Sequence, residues 1–375
     1  MPKCTADEMG FGRLGRCEIE ANFEGGALSS DGGLMLLRQV DQRTGLSKAV
    51  AAVLHDPRDP DLITHELRDL VAQRLYGLCC GYEDLNDHTA LRQDPLMQTA
   101  VGTREELGSS PTLCRMERRA SRTDVVALNR VLVEQFIASQ STCPAELVLD
   151  VDASDIPLHG DQEHSEFHAY YDHYCYLPLY VFAGKAMLAC ILRKSRIDGA
   201  RHAAAVIKLL VTRLREAWPE LRIVVRGDSG FCRQRLIRWC ERSNVGYVIG
   251  VARNARLHRI VAGWERLMEH CYVPGGNTMR VIREFRYAAD SWDRERRVVL
   301  DGLVDDDAAV PVVGVLAEAD VRHDDGGRAR RLDRPDGAAD GAEAVCGRGA
   351  DGVLRLGNAE EDDGEDAPGG ELCGV

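Results

Sequence analysis

Leu147-Val148-Leu149-Asp150-Val151-Asp152 and Ile223-Val224-Val225-Arg226-Gly227-Asp228 are two short apolar runs that lead into aspartates. Runs of this length, rich in Val, Ile and Leu, read as buried strands, so their acids would stand at a sheet edge. Carboxylates on rigid backbone supply the hard oxygen donors that Mg²⁺ prefers. If the two strands lie side by side, both acids emerge together and can hold divalent metal over a phosphodiester.

The surrounding pattern favours that pairing. After Pro144 the chain reads as strands at 147–151, 174–182 and 187–192, then a long helix at 199–218 with Ala203, Val206, Ile207, Leu210, Val211 and Leu214 on one side. A strand at 221–226, a helix at 232–242 and a strand at 247–251 follow. The first three strands can form an antiparallel meander, whereas the fourth returns through a helical crossover and can pair in parallel with the first. This β-β-β-α-β-α-β order is the topology of the ribonuclease H-like fold, an α/β mixed sheet. Residues 253–300 read as an appended piece, with a short helix at 260–270 and strands at 279–287 and 296–300.

Upstream, residues 32–137 carry a helical texture. Leu34, Leu36, Leu37 and Val40, then Leu62, Leu67, Leu70, Val71 and Leu75, recur at helical spacing, with the Pro57 to Pro60 stretch between them. A further helix opens at Ser110-Pro111, read as a Ser N-cap with Pro in the first turn. It would place Arg115, Arg118, Arg119 and Arg122 near one face, which either tracks a DNA backbone or is simply solvated. The expected division is a helical region at 1–145 for DNA-end binding and dimerisation, a core at 146–252, the appended piece at 253–300 and a tail at 301–375.

Charge sharpens the division. The net charge is −13, yet residues 301–375 alone hold 20 acidic side chains against 7 arginines, leaving residues 1–300 balanced. Residues 146–300 carry 24 basic and 19 acidic groups, the sign expected of a phosphate-handling segment. The tail lacks Lys, Ile, Phe, Tyr, Trp, Met, Ser, Thr and Gln altogether, so it is expected to be a disordered, acidic, low-complexity segment. The same abrupt loss is what a shifted reading frame of a GC-rich gene would give. Thirteen cysteines without a C-x-x-C pair point to reduced thiols rather than disulfides or a cysteine zinc site. With no membrane-length apolar run and no signal segment at the start, a cytoplasmic protein without membrane attachment is expected.

Several ordered blocks resemble one family. Leu28-Ser29-Ser30-Asp31-Gly32-Gly33, His55-Asp56-Pro57-Arg58-Asp59-Pro60, Gly81-Tyr82-Glu83-Asp84-Leu85-Asn86-Asp87 and Leu91-Arg92-Gln93-Asp94-Pro95 are similar to the N-terminal signature of 1380-type insertion-sequence transposases. Ser110-Pro111-Thr112-Leu113-Cys114-Arg115, the acids of 149–155, Tyr174-Cys175-Tyr176-Leu177-Pro178-Leu179 and Arg226-Gly227-Asp228-Ser229-Gly230-Phe231 continue the resemblance over roughly 25–300. It implies a group 1 DDE transposase that carries out DNA transposition, a form of DNA recombination. Three carboxylates on a ribonuclease H-like core would hold two Mg²⁺ (or Mn²⁺) ions for hydrolysis and strand transfer. The implied partners are the double-stranded inverted repeats of the element, target DNA and a second copy in a homodimer.

By this resemblance Asp152 takes the first catalytic and metal position and Asp228 the second, with Asp150 and Asp155 left as rivals for the first. The third carboxylate is missing. The family places a Glu within Tyr-x2-Arg-x3-Glu-x6-Lys, and no such string occurs here. A truncated or frameshifted copy of impaired activity is therefore expected, or a non-catalytic DNA-binding or inhibitory remnant. Candidate DNA contacts are Arg115, Arg119, Arg193, Lys194, Arg233 and Arg253. His164, His168 and His173 form a local cluster that reads as a solvated turn rather than a zinc site. Asp150-x-Asp152-x-Ser154 also echoes haloacid dehalogenase-type phosphatases, but meander sequence follows where that fold wants a helix.

Overall fold

The computed structural model describes residues 9–21, 31–272, 279–304, 312–319 and 353–355. The chain divides into two compact units, residues 1–143 with 186–190, and residues 144–185 with 191–375.

The first unit opens with a hairpin, β1 (Met9–Leu14) and β2 (Cys17–Ala21). Helices α1 (Leu34–Thr44), α2 (Leu46–Val53), α3 (Leu67–Cys79), α4 (His88–Leu91), α5 (Pro95–Val101), α6 (Ser110–Arg119) and α7 (Arg122–Ser139) follow. Its core gathers Phe11, Leu34, Met35, Ala72, Tyr76 and Met97. The buried side of α1 is rotated from the one the leucines mark: Leu34, Met35, Arg38 and Asp41 are buried, while Leu36 and Val40 are exposed. The reason is polar. Arg38 Nη1 donates to the Phe11 carbonyl at 2.8 Å, and Asp41 accepts from Ser47 N (2.7 Å), Ser47 Oγ (2.6 Å) and Tyr76 OH (2.9 Å). Burial and the Asp41 carboxylate both push the Tyr76 hydroxyl far above its ordinary range.

The cap of α6 is Ser109 rather than Ser110, with Pro111 in the first turn. The arginine face expected from 115 to 122 is split, because α6 stops at Arg119 and Ser121 starts α7. There the Ser121 and Asp124 side chains form a reciprocal cap, each taking the other's backbone N–H.

The second unit begins with β3 (Glu146–Ala153), followed by a small sheet of β4 (Ile156–Pro157), β5 (Glu166–His168) and β6 (His173–Tyr176), and then β7 (Leu179–Ala183). The single aromatic strand expected over 174–182 is thus two strands. Pro178 lies between them and cannot donate to a ladder, so β6 pairs with β4 and β5 while β7 pairs antiparallel with β3. In strand β8 (Ala186–Ile191), most of which counts with the first unit, Cys190 N donates to Asn129 Oδ1 at 2.8 Å.

The rest runs α8 (Ala203–Ala217), β9 (Arg222–Gly227), α9 (Gln234–Arg242), β10 (Gly246–Gly250), α10 (Ala255–Cys271), β11 (Met279–Tyr287), β12 (Arg296–Val304), β13 (Val312–Ala319) and β14 (Val353–Arg355). All six apolar positions expected on the inner side of α8 are buried. The crossover helix lets β9 lie parallel to β3, and β10 lies parallel to β9. Across this unit the sheet runs β14-β11-β12-β13-β10-β9-β3-β7, so the residues expected as an appendage extend the same sheet.

One part of the tail departs from the expected disorder. Val312–Ala319 pairs antiparallel with β10 on one side and β12 on the other. Its sequence, Val-Val-Gly-Val-Leu-Ala-Glu-Ala, is locally apolar and β-branched although the tail as a whole is acidic. The shorter β14 also lies in the tail; the expectation for residues 305–311, 320–352 and 356–375 falls outside the described residues. Among the described residues no helix is long and apolar enough to cross a membrane.

Candidate active site

Strands β3 and β9 run in register from Glu146 opposite Arg222 to Val151 opposite Gly227. Leu147, Leu149 and Val151 are buried, as are Ile223 and Val225, which turns the alternate side chains toward the opposite face. The ladder ends at Val151 and Gly227, so Asp152 and Asp228 each follow directly on its last paired residues. Both aspartates are exposed. Asp228 is extended (φ −73°, ψ −176°) and caps the short turn 229–231, its Oδ1 accepting from Gly230 N at 2.9 Å. Asp152 Oδ2 accepts from Ser154 Oγ at 2.7 Å.

The rival acids are engaged elsewhere. Asp150 receives two guanidinium hydrogen bonds from Arg226, the Nη2 bond at 2.9 Å, and that carboxylate raises the Arg226 pKa. Asp155 is joined to His173 Nε2 at 2.7 Å. Both pairings follow from the fold, the first across the parallel ladder and the second between the end of β3 and β6.

Glycines make the aspartate edge possible. A Cβ on Gly250 would sit 2.8 Å from Ser229 N and 3.1 Å from the Asp228 carbonyl carbon, so β10 passes tightly under the turn that carries Asp228. A Cβ on Gly227 would meet Val151 Cγ1 at 3.0 Å. Neither position carries a chemical group, and the sequence reading passed over both; their signal was only a glycine at each strand end.

The loop after β8 is held from inside. Arg193 is 6% exposed and donates to the carbonyls of Leu177 (2.8 Å), Gly199 (3.1 Å) and Arg201 (2.6 Å). Grouped by sequence with the surface cations, Arg193 is a buried clamp, and burial lowers its pKa. Alternation explains the difference: Arg193 and Ser195 point inward, Lys194 and Arg196 outward. A Cβ on Gly199 would lie 3.6 Å from Ala153 Cβ, so this loop passes beside the end of β3.

The other expected DNA contacts are exposed. Arg233 pairs with Asp198 at 2.8 Å, Arg253 with Glu265 at 3.4 Å, and Lys194 stands 4.0 Å from Glu166. Arg115 and Arg119 belong to α6 in the first unit, where Arg115 Nη2 donates to Thr112 Oγ1 at 3.1 Å. Burial pushes the thiol of Cys232, shortly after Asp228, up to about 11.

A cluster unseen in the sequence braces the far side of β10. Arg296, 3% exposed, donates to Glu241 Oε1 at 2.7 Å and Asp293 Oδ1 at 2.8 Å, and Tyr247 OH donates to Glu241 at 3.0 Å. Only the folded chain brings residues so distant in sequence together.

In kind, Asp152 and Asp228 suit a hard divalent cation. Among the described residues no group of three or more His, Cys, Asp or Glu could hold a metal ion.

The chain matches the family model described as "Transposase DDE domain group 1" over residues 11–308. No curated protein matches it. Among solved structures it is similar to a chain of a piggyBac transposase synaptic complex with hairpin DNA, at 14% identity and a TM-score of 0.33, covering 76% of this chain and 60% of that one.

Proposed function

Since the chain belongs to the transposase DDE domain group 1 family, we propose that it binds the ends of a mobile DNA element through a ribonuclease H-like core, and that this copy is impaired in strand cleavage. What supports the reading is the β3–β9 ladder, whose last pair, Val151 opposite Gly227, directly precedes Asp152 and Asp228, while Arg226 and His173 pair with the neighbouring acids Asp150 and Asp155. The parallel β3-β9-β10 set with β7 antiparallel at its side supports the ribonuclease H-like assignment.

In an intact family member Mg²⁺ or Mn²⁺ would supply charge neutralisation at the phosphodiester. Here the two carboxylates are short of a two-ion set, and the sequence offers no Tyr-x2-Arg-x3-Glu-x6-Lys string to complete it. What remains to the chain's own residues is holding DNA. Exposed Lys194, Arg196 and Arg233 stand on the loop beside β3 and the turn after β9, placed to contact phosphates of a duplex. Element ends and target DNA are the intended substrates, and a homodimer the working form. A phosphatase reading fares poorly, since Arg226 covers Asp150, the residue that would have to attack phosphate.

The test uses purified protein with Mg²⁺ or Mn²⁺ and duplexes bearing the element's ends. Salt-sensitive binding without nicks or joined strands is expected. Cleavage that Asp228→Ala abolishes would replace the impaired copy by an active enzyme, and absence of any DNA binding would end the proposal.

A further inference from the structure

Between Asp155 and Leu177 the chain forms a ribbon that the two-aspartate edge does not use. Strands β5 and β6 pair Phe167 with Tyr174 and His168 with His173. By alternation Phe167 and Tyr174 share one face with Tyr176, and His173 shares the other with Cys175, which is fully buried. The inner face is thus the His173–Cys175 side, and the outer face shows rings to water. Phe167 is 43% exposed, Tyr174 56%, and Tyr170, at the tip, 72%. Phe167 and Tyr174 meet edge to face at 5.6 Å, and Tyr170 meets Tyr171 the same way at 5.0 Å.

Rings grouped on one exposed face mark a surface that another molecule can cover. Two observations select the occupant. The ribbon is continuous with the aspartate edge, because it leaves β3 directly after Asp152 and is tied back by the 2.7 Å bond between His173 and Asp155. On its other border, Tyr176 bridges to Lys194, Ser195 Oγ donates to the Glu166 carbonyl at 2.9 Å and Arg196 N to Glu166 Oε2 at 3.1 Å. This seats two exposed cations beside the rings. Glu166 faces Lys194 and Glu163 faces His164. Ring faces flanked by cations are the surface that unpaired nucleobases and their phosphates occupy together.

We propose that Phe167, Tyr170 and Tyr174 form a stacking platform for unpaired bases of a DNA strand whose backbone passes the Asp152–Asp228 edge. The proposal rests on the DNA-binding reading above and adds to it a preference for frayed or single-stranded ends over paired duplex.

The experiment compares full-length protein with the Tyr170→Ala/Tyr174→Ala and Tyr170→Phe/Tyr174→Phe double variants. Binding is followed by fluorescence anisotropy on a fully paired duplex and on the same duplex with a six-nucleotide unpaired extension containing 2-aminopurine. Expected are tighter binding of the extended probe, quenching of 2-aminopurine, about a tenfold loss of that binding in the alanine variant for each base no longer stacked, and recovery in the phenylalanine variant. Paired-duplex affinity should stay within about twofold, as phosphate contacts set it. If the alanine pair lowers the melting temperature, Phe167→Leu keeps apolar cover while removing a stacking ring, and must show the same selective loss. Equal binding of both probes without quenching overturns the platform. So does an equal loss on both probes, or a change in oligomeric mass with DNA binding intact, which would make the ribbon a protein contact. Failure of the unaltered protein to bind either probe overturns the DNA-binding reading and the platform with it, whereas every other negative result leaves that reading standing.

Discussion

Asp41 and the Asp152–Asp228 pair show two ways of placing a carboxylate. Asp41 is buried in the first unit and satisfied by the Ser47 backbone, the Ser47 hydroxyl and the Tyr76 hydroxyl. The edge aspartates are exposed, and their bonds come from Ser154 and Gly230, their own close neighbours in sequence. A buried acid costs stability unless every lone pair is engaged, so Asp41 is a structural joint. Acids at a strand edge keep capacity for something that arrives from outside. Surroundings, not residue type, set the two apart.

The contrast can be broken most forcefully at Asp41. Asp41→Ala strands Tyr76 OH and Ser47 Oγ in the interior, and urea unfolding should show a loss of about 3 kcal/mol; Asp152→Asn and Asp228→Asn should leave the melting temperature unchanged. An equal loss at both places would erase the distinction.

Next comes Gly250→Ala. Its Cβ would lie 2.8 Å from Ser229 N, so the turn carrying Asp228 must shift or β10 must withdraw, at a cost of roughly 1–3 kcal/mol. Crystallography of the variant should find residues 228–231 displaced and Asp41 in place.

A third test uses protons. His88 is fully buried, and burial, then the nearby Arg74 charge, lowers its pKa below the ordinary 6.5. The unfolded chain therefore binds the proton more readily than the folded one. Stability from the neutral ring is complete above pH about 6.5 and declines as pH falls from there toward the depressed folded value. Denaturant midpoints measured from pH 7.5 to 5 should fall, and His88→Gln should flatten the part of that fall due to this ring.

The smallest effect is expected at Arg226→Ala. Its pair with Asp150 lies at the surface, so stability should change by less than about 1 kcal/mol. The informative readout is cation affinity: freeing Asp150 beside Asp152 should tighten Mn²⁺ binding, measured by calorimetry, if the guanidinium is what keeps that acid out of the edge.

The sheet was legible where burial dictates pattern. Both aspartate strands and the inner face of α8 are continuous apolar signals, so their reading holds. The pattern misled where polar residues are buried, as at Arg38 and Asp41 on α1, because an internal hydrogen bond leaves no hydrophobic trace. It misled again at Arg193, whose charge reads as surface until the inward–outward alternation of 193–196 is followed. Gly250 and the Arg296–Glu241 pair were illegible for a different reason: each matters through a contact with a distant part of the chain.

Strand β13 has a consequence for biosynthesis. Its place between β12 and β10 means that a nascent chain cannot cover those two strands until residue 319 has been made. Until then, β10 and β12 each leave a row of backbone donors and acceptors without the neighbour that will cover them, the kind of border along which unfinished chains adhere to one another. Premature release ahead of this strand should therefore yield aggregates rather than a smaller soluble product.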